Sequence, residues 1–307
     1  MKLRIAIILG SFALLIAGCL GEPAGSSGQD GRLTVVATTT IVGDVVANVA
    51  GDLIELAVLL PSGADPHRFD PSPVEARMVA EADLVFINGA GLDAFVLNLV
   101  PEDYDPEALV SVSEGIELIH FAEAEAEGET EHESDADPHV WMDPVNVIIW
   151  TENIATALVS ADPAHAAEFQ ANATAYTERL QELDGWIQDQ FSSLPLEDRL
   201  LVSDHDSLGY FAAAYDFTVV GFVIPGFSTL AQPSAQELAA LVDAIEASSA
   251  QKIYVDPSFN ASLAEAVASD TGVELVPVFT ASLSEAGGPA ETYIDLMQSF
   301  VMEIGSP

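Results

Sequence analysis

Cysteine is nearly absent: Cys19 is the only one in 307 residues. Disulfides within the chain and thiolate metal sites are therefore excluded, and any metal must be held by imidazole or oxygen. Basic residues are almost as scarce, with eight Lys and Arg against 49 Asp and Glu. Lys2 and Arg4 fall at the extreme N-terminus, and Lys252 is the only other lysine. Such a chain is repelled by nucleic acid and by anionic membrane surfaces. Half of the residues are nonetheless apolar, and the acids are spread along the chain. That combination fits a folded protein whose acidic surface is adapted to high salt, rather than a disordered acidic tail. No apolar run reaches the ~20 residues needed to span a bilayer.

The longest apolar run, Ile5 to Ala17, follows Met1-Lys2-Leu3-Arg4 and precedes Gly18-Cys19. A basic start, an apolar centre and small residues form an export signal over 1–18. Ile16-Ala17-Gly18-Cys19 resembles the lipobox of prokaryotic lipoproteins, and the resemblance implies cleavage before Cys19 and a diacylglycerol on its sulfur. Residues 19–32, rich in Gly, Ser and Pro, read as a flexible tether with a reach of roughly 20 Å.

The folded body divides into three parts. Strand-like and helix-like segments alternate from Leu33 to residue 160 and again from 196 to 307, which predicts an α/β fold with two parallel-sheet lobes. Between them, over 161–195, apolar residues recur at Phe169, Ala173, Tyr176, Leu180, Leu183, Ile187 and Phe191. Spacings of three and four predict one rigid helix of about 31 residues joining the lobes, opened by Asp162-Pro163 and closed at Leu194-Pro195.

Two tripeptides repeat. Asp65-Pro66-His67 leads into Arg68-Phe69-Asp70-Pro71, and Asp137-Pro138-His139 leads into Val140-Trp141-Met142-Asp143-Pro144. Proline fixes φ and biases the residue before it away from helix, so each histidine rides on backbone that loses little entropy when ordered. His67 follows a predicted strand, Ile54 to Leu60, and so lies at the sheet edge where ligands collect in open α/β folds. A third histidine, His205, follows the predicted strand Leu200 to Ser203 in the second lobe. Three imidazoles from two lobes can meet across the cleft, which makes His67, His139 and His205 a candidate metal site. Phe69 and Trp141 read as packing behind it. His120 and His165 read as surface or loop residues.

The segment from Phe121 to Pro138 carries an acid at every odd position from Glu123 to Asp137, with His132 among them. It reads as a solvated loop that can gather cations beside the site.

Lipobox, the two Asp-Pro-His loops, acidic segment, long helix, Ser203-Asp204-His205 and Gly209-Tyr210-Phe211 stand in an order that resembles the metal-binding solute-binding proteins of zinc and manganese ABC importers. The resemblance implies a lipid-anchored receptor outside the cytoplasm, in the periplasm or at the cell surface, monomeric and not an enzyme. Its implied cargo is a divalent metal, Zn2+ first and Mn2+ as the alternative, delivered to an ABC permease. In that family the third ligand is usually histidine in the zinc type and glutamate in the manganese type; here it is His205. Many relatives place a ligating aspartate in a Phe-Thr-Asp-Ser-like run, whereas this chain reads Phe279-Thr280-Ala281-Ser282. Asp65, Glu285 and the acidic loop remain as candidate fourth ligands, or water. Three histidines and water also describe a catalytic zinc centre, but no His-Glu-x-x-His motif or placed general base accompanies them. An adhesin or a metal-storage surface protein would share the fold.

Overall fold

The computed structural model describes residues 31–120 and 136–305. Cys19, the leader and most of the acidic run, with His132, lie outside the described residues.

The first lobe is built on β1 (Leu33–Ala37), β2 (Ile54–Val58), β3 (Leu84–Ile87) and β4 (Leu109–Ser111), parallel throughout in the order β2-β1-β3-β4. Helix α1 (Thr40–Ala50) covers one face. Its Ile41, Val42, Val45, Val46 and Val49 are buried, the 3.6-residue stripe that a sheet-covering helix needs. Thr39 caps it by accepting the Val42 N–H. Helix α2 (Pro73–Glu81) covers the other face, opened by a capping box between Ser72 and Glu75 with proline in the first turn.

Helix α3 (Pro144–Ala161) leads to the connection. The predicted 31-residue helix begins later than expected. Asp162 caps a 3-10 turn, Pro163–His165, and only then does α4 run, from Ala166 to Phe191, 26 residues and about 39 Å long. Its buried residues are Phe169, Tyr176, Leu180, Leu183, Ile187 and Phe191, the expected seam. Arg199 closes the far end: its guanidinium donates to the carbonyls of Phe191 and Leu194 and to that of Tyr215. One of the few cations is thus used where a helix exposes unpaired carbonyl oxygens.

The second lobe repeats the plan with β5 (Leu200–His205), β6 (Thr218–Ile224), β7 (Lys252–Val255) and β8 (Glu274–Pro277), parallel in the order β6-β5-β7-β8. Helices α5 (Gly209–Tyr215), α6 (Ala235–Ala247), α7 (Ser262–Thr271) and α8 (Tyr293–Gly305) complete it. Helix α8 reaches back across the cleft, where the Tyr293 hydroxyl donates to the Trp141 carbonyl and its N–H to Asp44. One apolar cluster runs from Val35 and Trp150 through α4 to Phe211 and Phe300, so the lobes share a core. Among the described residues no helix is long and apolar enough to cross a membrane.

A candidate metal centre between the lobes

Each of the three histidines is held at its backbone N–H by an aspartate one or two positions before it. In both Asp-Pro-His loops the proline has no N–H, so the aspartate side chain reaches past it to the histidine N–H. Asp65 Oδ1 accepts from His67 N, and Asp137 Oδ1 from His139 N, both at 2.9 Å. This Asx turn opens the short 3-10 turn of Pro66–Arg68, and a second 3-10 turn, Val140–Met142, follows His139. In the second lobe Asp204 Oδ1 accepts from His205 N at 2.7 Å. His205 is the last residue of β5, paired with Ile224, rather than lying beyond the strand as expected.

The imidazoles converge. His139 Nε2 lies 3.2 Å from His67 Nε2 and 3.0 Å from His205 Nε2. Tetrahedral zinc with nitrogen at 2.0–2.1 Å separates its ligand atoms by about 3.3 Å, so the cluster is close to the size a bound ion needs. Among the described residues this is the one group of three or more potential ligands within reach of a common ion. His139 and His205 are fully buried and His67 is half-buried, so access is past His67. On that side a cavity of about 750 Å³ opens between Asp65, Arg68 and Phe69 of the first lobe and Thr229, Phe259 and Leu263 of the second.

Carboxylates set the tautomers. Asp137 Oδ1 lies 2.7 Å from His139 Nδ1, and Asp204 Oδ1 lies 2.7 Å from His205 Nδ1. Each Nδ1 therefore carries the proton and each Nε2 offers its lone pair inward, the arrangement that orients metal-binding imidazoles. Burial, followed by the charges of its neighbours, holds His67 well below the ordinary histidine range, and burial does the same for His139. His205 behaves oppositely. Burial opposes its charge, but the Asp204 hydrogen bond and the charges of Asp204, Asp256 and Asp65 prevail and raise it above 6.5.

Among the described residues no carboxylate joins the three imidazoles within reach of a common ion. Asp65 Oδ2 accepts the Thr229 hydroxyl at 2.6 Å, and Glu285 is exposed outside the cluster. Asp204 Oδ2 accepts the Asp256 N–H at 2.7 Å. Asp256 in turn holds the Thr280 and Ala281 N–H groups at 2.6 and 2.9 Å, so Ala281 is buried and fixed by its backbone. His120 pairs across an isolated bridge with Ala136, and His165 meets Asp162; neither joins the three.

A family model described as zinc-uptake complex component A, periplasmic (ZnuA), matches residues 35–306. The chain belongs to this family. The manganese-binding lipoprotein MntA of Halalkalibacterium halodurans is 33% identical over 298 residues, covering 97% of this chain and 95% of that protein. The manganese ABC transporter substrate-binding lipoprotein PsaA of Streptococcus pneumoniae is 31% identical over 305 residues, covering 97% and 96%. The fold matches the periplasmic zinc-binding protein TroA of Treponema pallidum with a TM-score of 0.79 at 26% identity, over 90% of this chain and 98% of that one. A ZnuA-family member built this way is two parallel α/β lobes about a long helix, as the alternation of segments predicts.

One expectation changes and one is extended. Asp137, read as the last acid of a solvated run, is fully buried, because the His120–Ala136 bridge ends the run and turns Asp137 inward to His139. Trp141 packs as expected, its ring 5.3 Å from that of His139, but its indole N–H also donates to the Thr280 carbonyl. Sequence reasoning missed Asp256 and Thr229 altogether. Asp256 lies at the end of β7, the edge where ligands collect, and that position was its only signal.

Proposed function

We propose that the chain is the extracytoplasmic receptor of an ABC metal importer, holding a divalent transition metal on His67, His139 and His205 and passing it to a permease. The observation that carries this is the meeting of three Nε2 atoms from two lobes, those of His67 and His205 lying 3.2 and 3.0 Å from that of His139 and all three within 4.8 Å of one another, with two of the rings oriented by carboxylates. Zinc is the preferred cargo. Three neutral nitrogens with no carboxylate among the described ligands suit a borderline cation better than manganese, which favours oxygen. Manganese is the second reading, favoured by the names of the MntA and PsaA relatives. A transport role rather than hydrolysis fits the site, because Asp65, Asp137, Asp204 and Asp256 spend their oxygens on the histidine N–H groups and on neighbouring backbone N–H groups, the work of holding the ligands in place.

Metal analysis of the purified protein, followed by competition titration with zinc and manganese, tests the cargo. Tighter manganese than zinc binding would reverse the assignment. Lipid anchoring through Cys19 is tested by Cys19→Ala, which should release the protein from the membrane fraction. The acidic excess is read as a high-salt adaptation: the melting temperature should climb steeply from low to multimolar salt as repulsion is screened. A permease and an ATPase encoded beside the gene would separate an importer from an adhesin or a storage protein of the same fold.

A further inference from the structure

The three imidazoles are not held alike. Asp137 fixes the His139 ring at Nδ1 and Asp204 fixes that of His205, each at 2.7 Å. Among the described residues no carboxylate bonds His67 Nδ1, so that ring goes where its backbone goes. The loop that carries it, 61–68, is in turn pinned by two hydroxyls of the second lobe. Ser282 Oγ accepts the Gly63 N–H at 2.8 Å, and the Thr229 hydroxyl donates to Asp65 Oδ2 at 2.6 Å. The other oxygen of Asp65 accepts the His67 N–H at 2.9 Å. One carboxylate thus links Thr229 to the backbone of a ligand across the cleft. Thr229 lies between β6 and α6, and over 225–234 it is the one buried residue; the rest of that loop is half-buried or exposed. Its side chain is sent inward beside the cavity that gives access to the centre.

We propose that Thr229 is a positioning residue for metal release: its hydroxyl, acting through Asp65, holds His67 on the ion, and breaking that bond sets the release rate. This rests on the three-histidine reading above. The order of release follows from what fixes each ring. His139 and His205 keep their carboxylates when the cleft loosens, whereas His67 loses the one cross-lobe tie that reaches its own N–H. Its Nε2 lone pair then leaves the ion and water takes the vacated position. The cavity of about 750 Å³ beside the loop gives both room. A hydrogen bond to a carboxylate is stronger than one between neutral groups, so a single hydroxyl is enough to change a rate.

The test is stopped-flow release of zinc from the loaded, full-length protein into excess chelator. Thr229→Val removes the hydroxyl at nearly constant volume and should raise the release rate roughly ten- to a hundredfold. The association rate should be nearly unchanged, since capture starts from the open cleft. Thr229→Ser keeps the hydroxyl and should release zinc at the parent rate. In an Asp65→Ala background Thr229→Val should add nothing, because the link is already cut. Thr229→Ala carries the test if the valine variant does not fold. Amide hydrogen exchange of the metal-free protein reads the same bond without the ion: residues 63–68 should exchange faster in the valine variant and at the parent rate in the serine variant. An unchanged release rate in Thr229→Val, a rise that serine fails to prevent, or additive effects in the double variant would overturn the proposal. If the parent protein binds no zinc, the three-histidine reading falls by itself, and exchange at 63–68 still decides whether Thr229 holds the His67 loop.

Discussion

The indole N–H of Trp141 donates to the carbonyl oxygen of Thr280 at 2.7 Å, tying the loop that carries His139 to the segment that carries Ala281. The bond crosses the cleft beneath the metal centre. Trp141 is almost completely buried, with its ring against those of His139 and Trp150. Trp141→Phe should therefore cost about 2 to 4 kcal/mol, from an unsatisfied buried carbonyl and a partly empty cavity. Denaturant unfolding of the metal-free protein measures it, and a loss well under about 1 kcal/mol would mean that this strap contributes little.

Metal affinity should fall with acidity through a single histidine. Burial keeps His67 and His139 below the usual range, so both are neutral near pH 6.5 and present lone pairs; His205 is raised above 6.5 and holds a proton that the metal must displace. Below the raised His205 value, affinity should drop about tenfold per pH unit, and above it should be flat. Competition titration from about pH 5 to pH 8, with calorimetry in two buffers to count protons, checks the sign and the number. Release of two or more protons near neutrality would show that His67 or His139 is charged in the metal-free state.

Asp204 connects that proton to the second lobe. Its Oδ1 takes the His205 Nδ1 proton while its Oδ2 accepts the Asp256 N–H. Asp204→Asn keeps one acceptor and turns an amide N–H toward a donor, so either the two bonds at Oδ1, from His205 N and Nδ1, are lost, or the one at Oδ2, from Asp256 N, is lost. Metal affinity should fall by roughly ten- to a hundredfold, as for other groups that orient a ligating imidazole. The pH profile should also move to lower pH, because the charge that raises His205 is gone. An unchanged profile would place the cause of the raised value elsewhere, with Asp256 or Asp65.

The sequence carries the lobes and the three histidines for physical reasons that differ. Alternating strand and helix patterns are local, and so is the seam from Phe169 to Phe191, which is why both read through. The repeated Asp-Pro-His also reads locally, since the Asx turn it forms spans three residues. What does not read is whatever depends on closure. Thr229 meets Asp65 across 164 positions of chain, and Asp256 holds Thr280 and Ala281 across the turn after β8, pairings that no spacing announces. Asp137 misleads for the same reason, sharing the alternation of a surface run while its side chain belongs to His139.

Ala281 offers the sharpest test of the ligand set. Its side chain is a buried methyl in the segment where many relatives carry a ligating aspartate, and its N–H is pinned to Asp256 Oδ2. In Ala281→Asp a second carboxylate would enter a buried region that already holds Asp256. The metal-free variant should lose stability through repulsion and desolvation. With metal bound the sign reverses, because the new oxygen adds an anionic ligand to three neutral nitrogens. The melting rise on adding metal should therefore be larger than in the parent protein, and manganese affinity should gain more than zinc affinity, since manganese favours oxygen. Competition titrations and melts of both proteins, each with zinc and with manganese, measure all three effects. If the metal-free variant is destabilised while both affinities stay unchanged, residue 281 does not face the ion, and the fourth position is filled by water or by an acid outside the described residues.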